Sequence, residues 1–135
     1  MKTLLILRHA KSSWKEEGLP DHDRPLNKRG KQDAPNMGRL LKDKGLVPDL
    51  ILSSTAKRAR STCKLVSEEC GFEGETKYKK ALYAFEADPY LEALTRITGK
   101  FNIVMLVGHN PGLEELLEIL TGERLPLPTA ALAQV

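Results

Sequence analysis

The chain has 135 residues, the length of one domain; 41% are hydrophobic and 29% charged, the balance of a protein that folds around its own core without disulfide or metal staples. Its 21 Lys and Arg against 18 Asp and Glu leave a net charge of +3, too small an excess to mark a nucleic-acid binder, and 5% aromatics are too few for a base-stacking surface. The longest early apolar run, Leu4 to Leu7, stops at Arg8, His9 and Lys11, which is neither a secretory signal nor a membrane segment, so a cytoplasmic protein is expected.

Along the chain, strand and helix patterns alternate. Lys2 to Leu7 is a short apolar run suited to a buried strand. A polar stretch follows to Leu26, with Gly18, Pro20 and Pro25 as breakers. Asn27 is placed to cap a helix running to about Lys44, with Ala34, Met37, Leu40 and Leu41 on one face, and Gly45 suits its stop. Pro35 inside that pattern predicts a kink or a split. Leu50 to Leu52 is a second buried-strand candidate. Lys57 to Cys70 reads as helix, with Ala59, Cys63 and Val66 on one stripe and Gly71 as C-cap. On that helix Cys63 and Cys70 stand roughly 10 Å apart along the axis, too far to pair, and no His cluster accompanies them to hold zinc.

Glu75 to Lys79 reads as a short strand, and Pro89 to Thr98 as a helix carrying Leu91, Leu94 and Ile97. Phe101 to Val107 is the strongest strand pattern in the chain. Pro111 opens a helix to about Leu120, with Leu113, Leu116, Leu117 and Leu120 facing inward. Thr129 to Val135 looks like a last strand; because the chain stops inside it, residues beyond Val135 that complete the sheet remain an open expectation. Strands separated by helices imply an α/β fold over residues 1–135: one three-layer αβα sandwich with a mainly parallel central sheet.

In open α/β sheets ligands bind beyond the carboxyl ends of the strands. Leu7 is followed by Arg8 and His9, Leu52 by Ser53 through Arg58, and Val107 by Gly108, His109 and Asn110. Taken singly each is bland. An Arg-His pair is ordinary surface, Lys57, Arg58 and Arg60 are a solvated helix start, and His109 before Asn-Pro-Gly is a turn residue. Yet cations at a helix N-terminus oppose its dipole, which hints at an anion there. Three such elements at successive strand ends point to one site.

These residues carry a resemblance. Leu7-Arg8-His9-Ala10-Lys11-Ser12-Ser13-Trp14 resembles the signature of the histidine phosphatase superfamily (the phosphoglycerate mutase-like fold), with Arg-His-Ala where Arg-His-Gly is usual. Arg24-Pro25-Leu26 through Gly30, Ser53-Ser54 through Lys57-Arg58-Ala59 and Thr62, and Val107-Gly108-His109-Asn110 resemble its further motifs, in the same order. Arg-His-Ala-Lys-Ser, the small size and the tail from Leu127 to Ala133 are similar to the short SixA-type phosphohistidine phosphatases. The resemblance implies His9 as the nucleophile that takes the phosphoryl group, and Arg8, Arg58 and His109 as the clamp on its oxygens, with Ser12 as a further phosphate contact. Permanently charged guanidinium forks suit a transition state whose charge spreads over three oxygens, and nearby Arg8 and Arg58 disfavour a protonated His9.

Phosphatases of this superfamily that act on alkyl esters usually carry an acidic proton donor in the central segment, where Glu86 and Asp88 are the candidates here. Asp88 before Pro89 also reads as a helix N-cap, and Glu86 as solvated. A missing acid is tolerable for phosphohistidine, whose P–N bond is labile, and not for an alkyl ester. The expected function is therefore a metal-independent phosphatase, without cofactor, acting on phosphohistidine in proteins. A phosphatase for small phosphomonoesters and a non-catalytic phosphate-binding module are the alternatives. Partners are a phosphorylated protein or a small phosphorylated substrate, with neither nucleic acid nor membrane; oligomeric state is not legible. His22, with Asp21, Asp23 and Arg24, reads as an ordinary exposed charged loop in preference to a rim of the pocket, and not as a metal site, since adjacent side chains do not converge on one ion. Lys11 and Lys15 suit attraction of an acidic substrate, and Trp14 reads as a packing residue.

Overall fold

The computed structural model of the protein describes residues 1–135. Four parallel strands, β1 (Thr3–Arg8), β2 (Leu50–Ser54), β3 (Glu75–Lys79) and β4 (Ile103–Gly108), are joined by β5 (Leu132–Gln134), which runs antiparallel to β1. The sheet order is β3-β2-β4-β1-β5. Between strands lie α1 (Lys28–Asp43), α2 (Lys57–Cys70), α3 (Asp88–Thr95) and α4 (Gly112–Thr121). No helix is long and apolar enough to cross a membrane.

Side chains on a strand alternate faces, and the core divides accordingly. Leu4, Ile6, Leu50, Leu52, Val104 and Leu106 pack with Tyr90 of α3 and Leu113, Leu116 and Leu117 of α4. Leu5, Leu7, Ile51, Met105 and Val107 pack on the other face with Ala34 and Leu41 of α1 and Ala59, Cys63 and Val66 of α2. The chain steps outward from β1 through β2 to β3, then reverses to place β4 between β1 and β2. Right-handed crossovers put helices on opposite faces when the direction reverses, which makes the three layers.

The register then positions the site. Arg8 pairs with Gly108 across β1 and β4, so the next residues, His9 and His109, emerge side by side at the carboxyl ends. Ser53 pairs with Val107 across β2 and β4, which brings Ser54 to the same edge. Asn27 caps α1 through its side-chain oxygen and the Gly30 N–H, 2.9 Å. Gly71 closes α2 in the left-handed conformation, and both cysteines are free.

Some expectations need correction. Pro35 does not split α1, which runs through it, and Lys31, whose carbonyl loses its helical partner, is an exposed residue. Leu40 is exposed because the buried stripe of α1 runs through Gly30, Ala34, Gly38 and Leu41. Leu120 is exposed as well, since residues 121–126 are all exposed and offer it no cover. Asp88 is the first residue of α3 and makes no side-chain cap. Of the expected last strand only Leu132–Gln134 is extended, because the preceding residues loop back to the site: the Ala130 N–H, at a φ of 59°, donates to the His9 carbonyl.

Two glycines of α1 permit close approach. A Cβ at Gly38 would stand 2.6 Å from the Val66 carbonyl oxygen of α2, and one at Gly30 would stand 2.2 Å from the carbonyl oxygen of Lys11. Backbone cannot retreat as a flexible side chain does. Gly30→Ala is therefore expected to destabilise the fold by roughly 2 kcal/mol, read as a Tm lower by about 5–10 °C in thermal unfolding. An unchanged Tm would mean that the segment after β1 yields freely.

Candidate active site

At the carboxyl ends of β1, β2 and β4 lies a cleft of about 290 Å³, lined by Arg8, His9, Ser12, Arg24, Arg58 and His109 together with Lys11, Trp14, Asp21, Phe85, Asn110 and Thr129. The expected catalytic set of Arg8, His9, Arg58 and His109, with Ser12, is thus brought together. Glu86 and Asp88 are not among the lining residues and are exposed.

His9 is 6% exposed, and its Nδ1 lies 2.7 Å from the Ala10 carbonyl oxygen. A carbonyl only accepts, so Nδ1 carries the proton and Nε2 keeps its lone pair. Nε2 has no partner in the protein and is not sealed from solvent. Burial, above all, pulls the His9 pKa down; the Ala10 hydrogen bond opposes this, the charges of Arg58, Arg8 and Arg24 add to it, and the result is about 4. His9 is neutral at physiological pH. Its backbone is tied on both sides, by the Ala130 N–H to its carbonyl and by the Ala10 N–H to Thr62 Oγ1 at 2.9 Å. Thr62 in turn donates to the Arg58 carbonyl, 2.7 Å.

His109 faces His9 with ring centroids 5.1 Å apart. Its Nε2 lies 2.8 Å from Ser54 Oγ, which also accepts the Ala56 N–H. The only acceptor within reach of the Ser54 hydroxyl proton is Nε2, which leaves the imidazole proton on Nδ1, buried without a partner. Burial first, then the neighbouring His9, Arg58 and Arg8, hold His109 at about 3 against the opposing Asp21. Its backbone N–H donates to Tyr90 Oη at 2.9 Å, and Tyr90 donates to the Ala84 carbonyl at 2.8 Å. Tyr90, absent from the expected set, is the buried post that sets the height of His109.

Of the cluster around His22, Asp21 and Asp23 are exposed as expected, while Arg24 is buried. Residues 21–23 form a single 3-10 turn folded over the start of α2. Arg58 donates to the Asp21 carbonyl at 2.8 Å and to Asp21 Oδ2 at 3.0 Å. Arg24 is buried, donating to Asp21 Oδ1 at 3.1 Å and to Ser12 Oγ at 2.7 Å. Burial raises the Asp21 pKa, but hydrogen bonds from Tyr83, Arg58 and Arg24 outweigh it and hold the group at about 2. Asp21 and Arg24 thus line the cleft, the less favoured of the two readings that the sequence offered for this cluster. Trp14 is not a packing residue: it is 76% exposed, and the Arg24 guanidinium stacks on its ring at 3.5 Å.

Three guanidinium groups and two neutral imidazoles against one ionised carboxylate make a cleft built for an anion with several oxygens. The depressed histidines have a second consequence. Between pH 6.5 and about 4 for His9, and down to about 3 for His109, the unfolded chain binds protons that the folded chain refuses. Stability is therefore fully present above pH 6.5 and falls as the pH drops through that window, by up to ~1.4 kcal/mol per pKa unit for each group. Urea midpoints taken from pH 7 to 4 should decline, and the slope should shrink in His109→Asn. A flat profile in the wild type would contradict the neutral, buried state of both rings.

Comparison with known proteins agrees with this geometry. The model of the histidine phosphatase superfamily (branch 1) matches residues 4–87. An uncharacterised chloroplastic protein of Arabidopsis thaliana is 39% identical over 98% of this chain, which spans 66% of that protein's length. SixA from Agrobacterium tumefaciens, provisionally named a phosphohistidine phosphatase, superposes with a TM-score of 0.91 at 36% identity, over 98% of this chain and 90% of that one. The protein histidine phosphatase SixA in complex with tungstate shares the fold, with a TM-score of 0.80 at 24% identity over 98% of this chain and 86% of that one. By family match, sheet order and the paired strand-end histidines, the chain belongs to the histidine phosphatase superfamily, as a phosphatase of the SixA type.

Proposed function

We propose that the protein removes the phosphoryl group from phosphohistidine in proteins, in the cytoplasm and without a metal ion, through a covalent phosphohistidine on His9. The observation that carries this reading is the state of His9: neutral, its Nδ1 proton held by the Ala10 carbonyl, its Nε2 lone pair open to the cleft. Nε2 attacks phosphorus in line with the substrate's P–N bond, and the bonding pair leaves with the substrate nitrogen. A substrate ring protonated on its other nitrogen departs as neutral imidazole, so no protein acid is called for. Water then attacks phospho-His9. Because Nδ1 has kept its proton, His9 also leaves as neutral imidazole, and the proton lost by water goes to the phosphate product. Arg8, Arg58, His109 and Ser12 hold the equatorial oxygens, with Arg24 fixing Ser12.

The carboxylates support the choice of substrate. Asp21 alone among the lining residues carries one, and at about 2 its pKa leaves it ionised and unable to donate a proton. An alkyl leaving group without a general acid forfeits roughly 10²–10⁴ in rate. Trp14 and Phe85, both exposed and both lining the cleft, offer apolar faces to a planar ring. The test compares a phosphohistidine peptide with an alkyl phosphomonoester, both in the presence of a chelator. The expected kcat/KM favours the peptide by at least about 100-fold. Equal or better ester hydrolysis would replace this reading with a small-phosphomonoester phosphatase, loss of activity in chelator would restore a metal, and phosphate binding without turnover would leave a binding module.

A further inference from the structure

Beside the cleft, the outer face of α2 carries two grooves of about 470 and 440 Å³, both lined by Lys57, Ser61, Lys64 and Glu68. Arg60 borders the first and Lys31 the second. Four cations thus stand against Glu68, an excess of three that equals the +3 net charge of the whole chain. None of the four is in an ion pair, so their charge is free to meet a partner. The two grooves therefore carry a local positive excess with one carboxylate among their lining residues. Two of these cations, Lys57 and Arg60, stand in the first turn of α2, where they oppose the helix dipole and gain nothing locally. The grooves begin next to the cleft at the head of α2, where Lys57 precedes Arg58, and Lys64 lies about 10 Å further along the helix.

We propose that this basic face of α2 docks an acidic segment flanking the phosphohistidine of a protein substrate; the inference rests on the phosphohistidine reading above. A chain extended from the cleft covers the span from Lys57 to Lys64 with three or four residues, at about 3.3 Å each. The grooves also have apolar parts, Phe72 in one and Leu65 in the other, which suit side chains of a protein. Nucleic acid suits them less. Tyr78 is the one exposed aromatic at the grooves, and a single ring with the Arg60 guanidinium 4.9 Å from its centroid makes no platform for successive bases.

The test uses two phosphohistidine peptides, one with about six Asp and Glu residues around the histidine and one with Ser and Gln in their place, together with free phosphohistidine. Wild type should cleave the acidic peptide with a kcat/KM about tenfold above the neutral one at low salt, and the preference should vanish as salt screens it. Arg60→Glu/Lys64→Glu should lose the preference while turning over free phosphohistidine within about twofold of wild type. Equal kcat/KM for both peptides in the wild type overturns the proposal. Should no phosphohistidine substrate turn over, the functional reading fails, and fluorescence anisotropy of the labelled, unphosphorylated acidic peptide then decides the docking surface alone. Binding lost in the double variant supports it; no binding to wild type, or tighter binding of single-stranded DNA, overturns it.

Discussion

Replacing His9 with alanine is expected to lower phosphohistidine turnover by at least about 10⁴-fold, because no other imidazole with a free lone pair faces the cleft. His109 is no substitute, since its Nε2 lone pair accepts the Ser54 hydroxyl and its Nδ1 carries the ring proton, free to donate but not to attack. The fold should survive. The variant loses one hydrogen bond, to the Ala10 carbonyl, while the backbone ties from Ala130 and Thr62 remain. Rapid quenching of the wild type during turnover should trap an acid-labile phosphate on the protein, and His9→Ala should trap none. More than about a hundredth of wild-type activity in a folded His9→Ala would end the covalent reading.

Arg58→Ala should cost roughly 10³–10⁵ in kcat/KM, the range for a guanidinium that stabilises a transferring phosphoryl group. Arg58 is buried at the head of α2 and also binds Asp21 through both its carbonyl and its carboxylate, so one substitution removes a charge and loosens the turn over residues 21–23. Arg58→Lys restores the charge but not the fork, and should recover only a small part of the loss. Steady-state kinetics on the phosphohistidine peptide separate the outcomes. If lysine restores full activity, Arg58 acts as a point charge and the two-handed grip on Asp21 is incidental. Arg24→Ala serves as a contrast, since it leaves Arg58 in place and frees Ser12.

The site was legible wherever chemistry coincides with a strand end. His9 and His109 follow apolar runs that can only be buried strands, and a parallel sheet aligns their carboxyl ends. Arg58 and Ser12 were legible through motifs adjoining such ends. Tyr90 was not, because nothing in an aromatic one position before a leucine stripe says that its hydroxyl will hold His109. Asp21 and Arg24 were legible only as a charged cluster, with the rim of the pocket as its less favoured place. Their roles arise from contacts with Arg58 and Ser12 across the fold, and a polar loop has no periodicity to announce them. The same reasoning explains Glu86 and Asp88: their sequence neighbourhood suggested an acid, and only the path of the chain takes them off the cleft.

By itself the sequence determined what depends on near neighbours. Apolar runs made the strands, Asn27 and Gly71 set helix ends through their own side chain or conformational freedom, and helical spacing kept Cys63 and Cys70 apart. What only the tertiary structure decided depends on distant groups meeting: the order β3-β2-β4-β1-β5, the antiparallel turn of β5, the continuity of α1 through Pro35, and the charge states of the site. The histidines are the clearest case. An isolated imidazole titrates near 6.5, and burial beside arginines drawn from three separate segments brings His9 to about 4. Desolvation and the proximity of charges are properties of a closed structure, and no local pattern of residues encodes them.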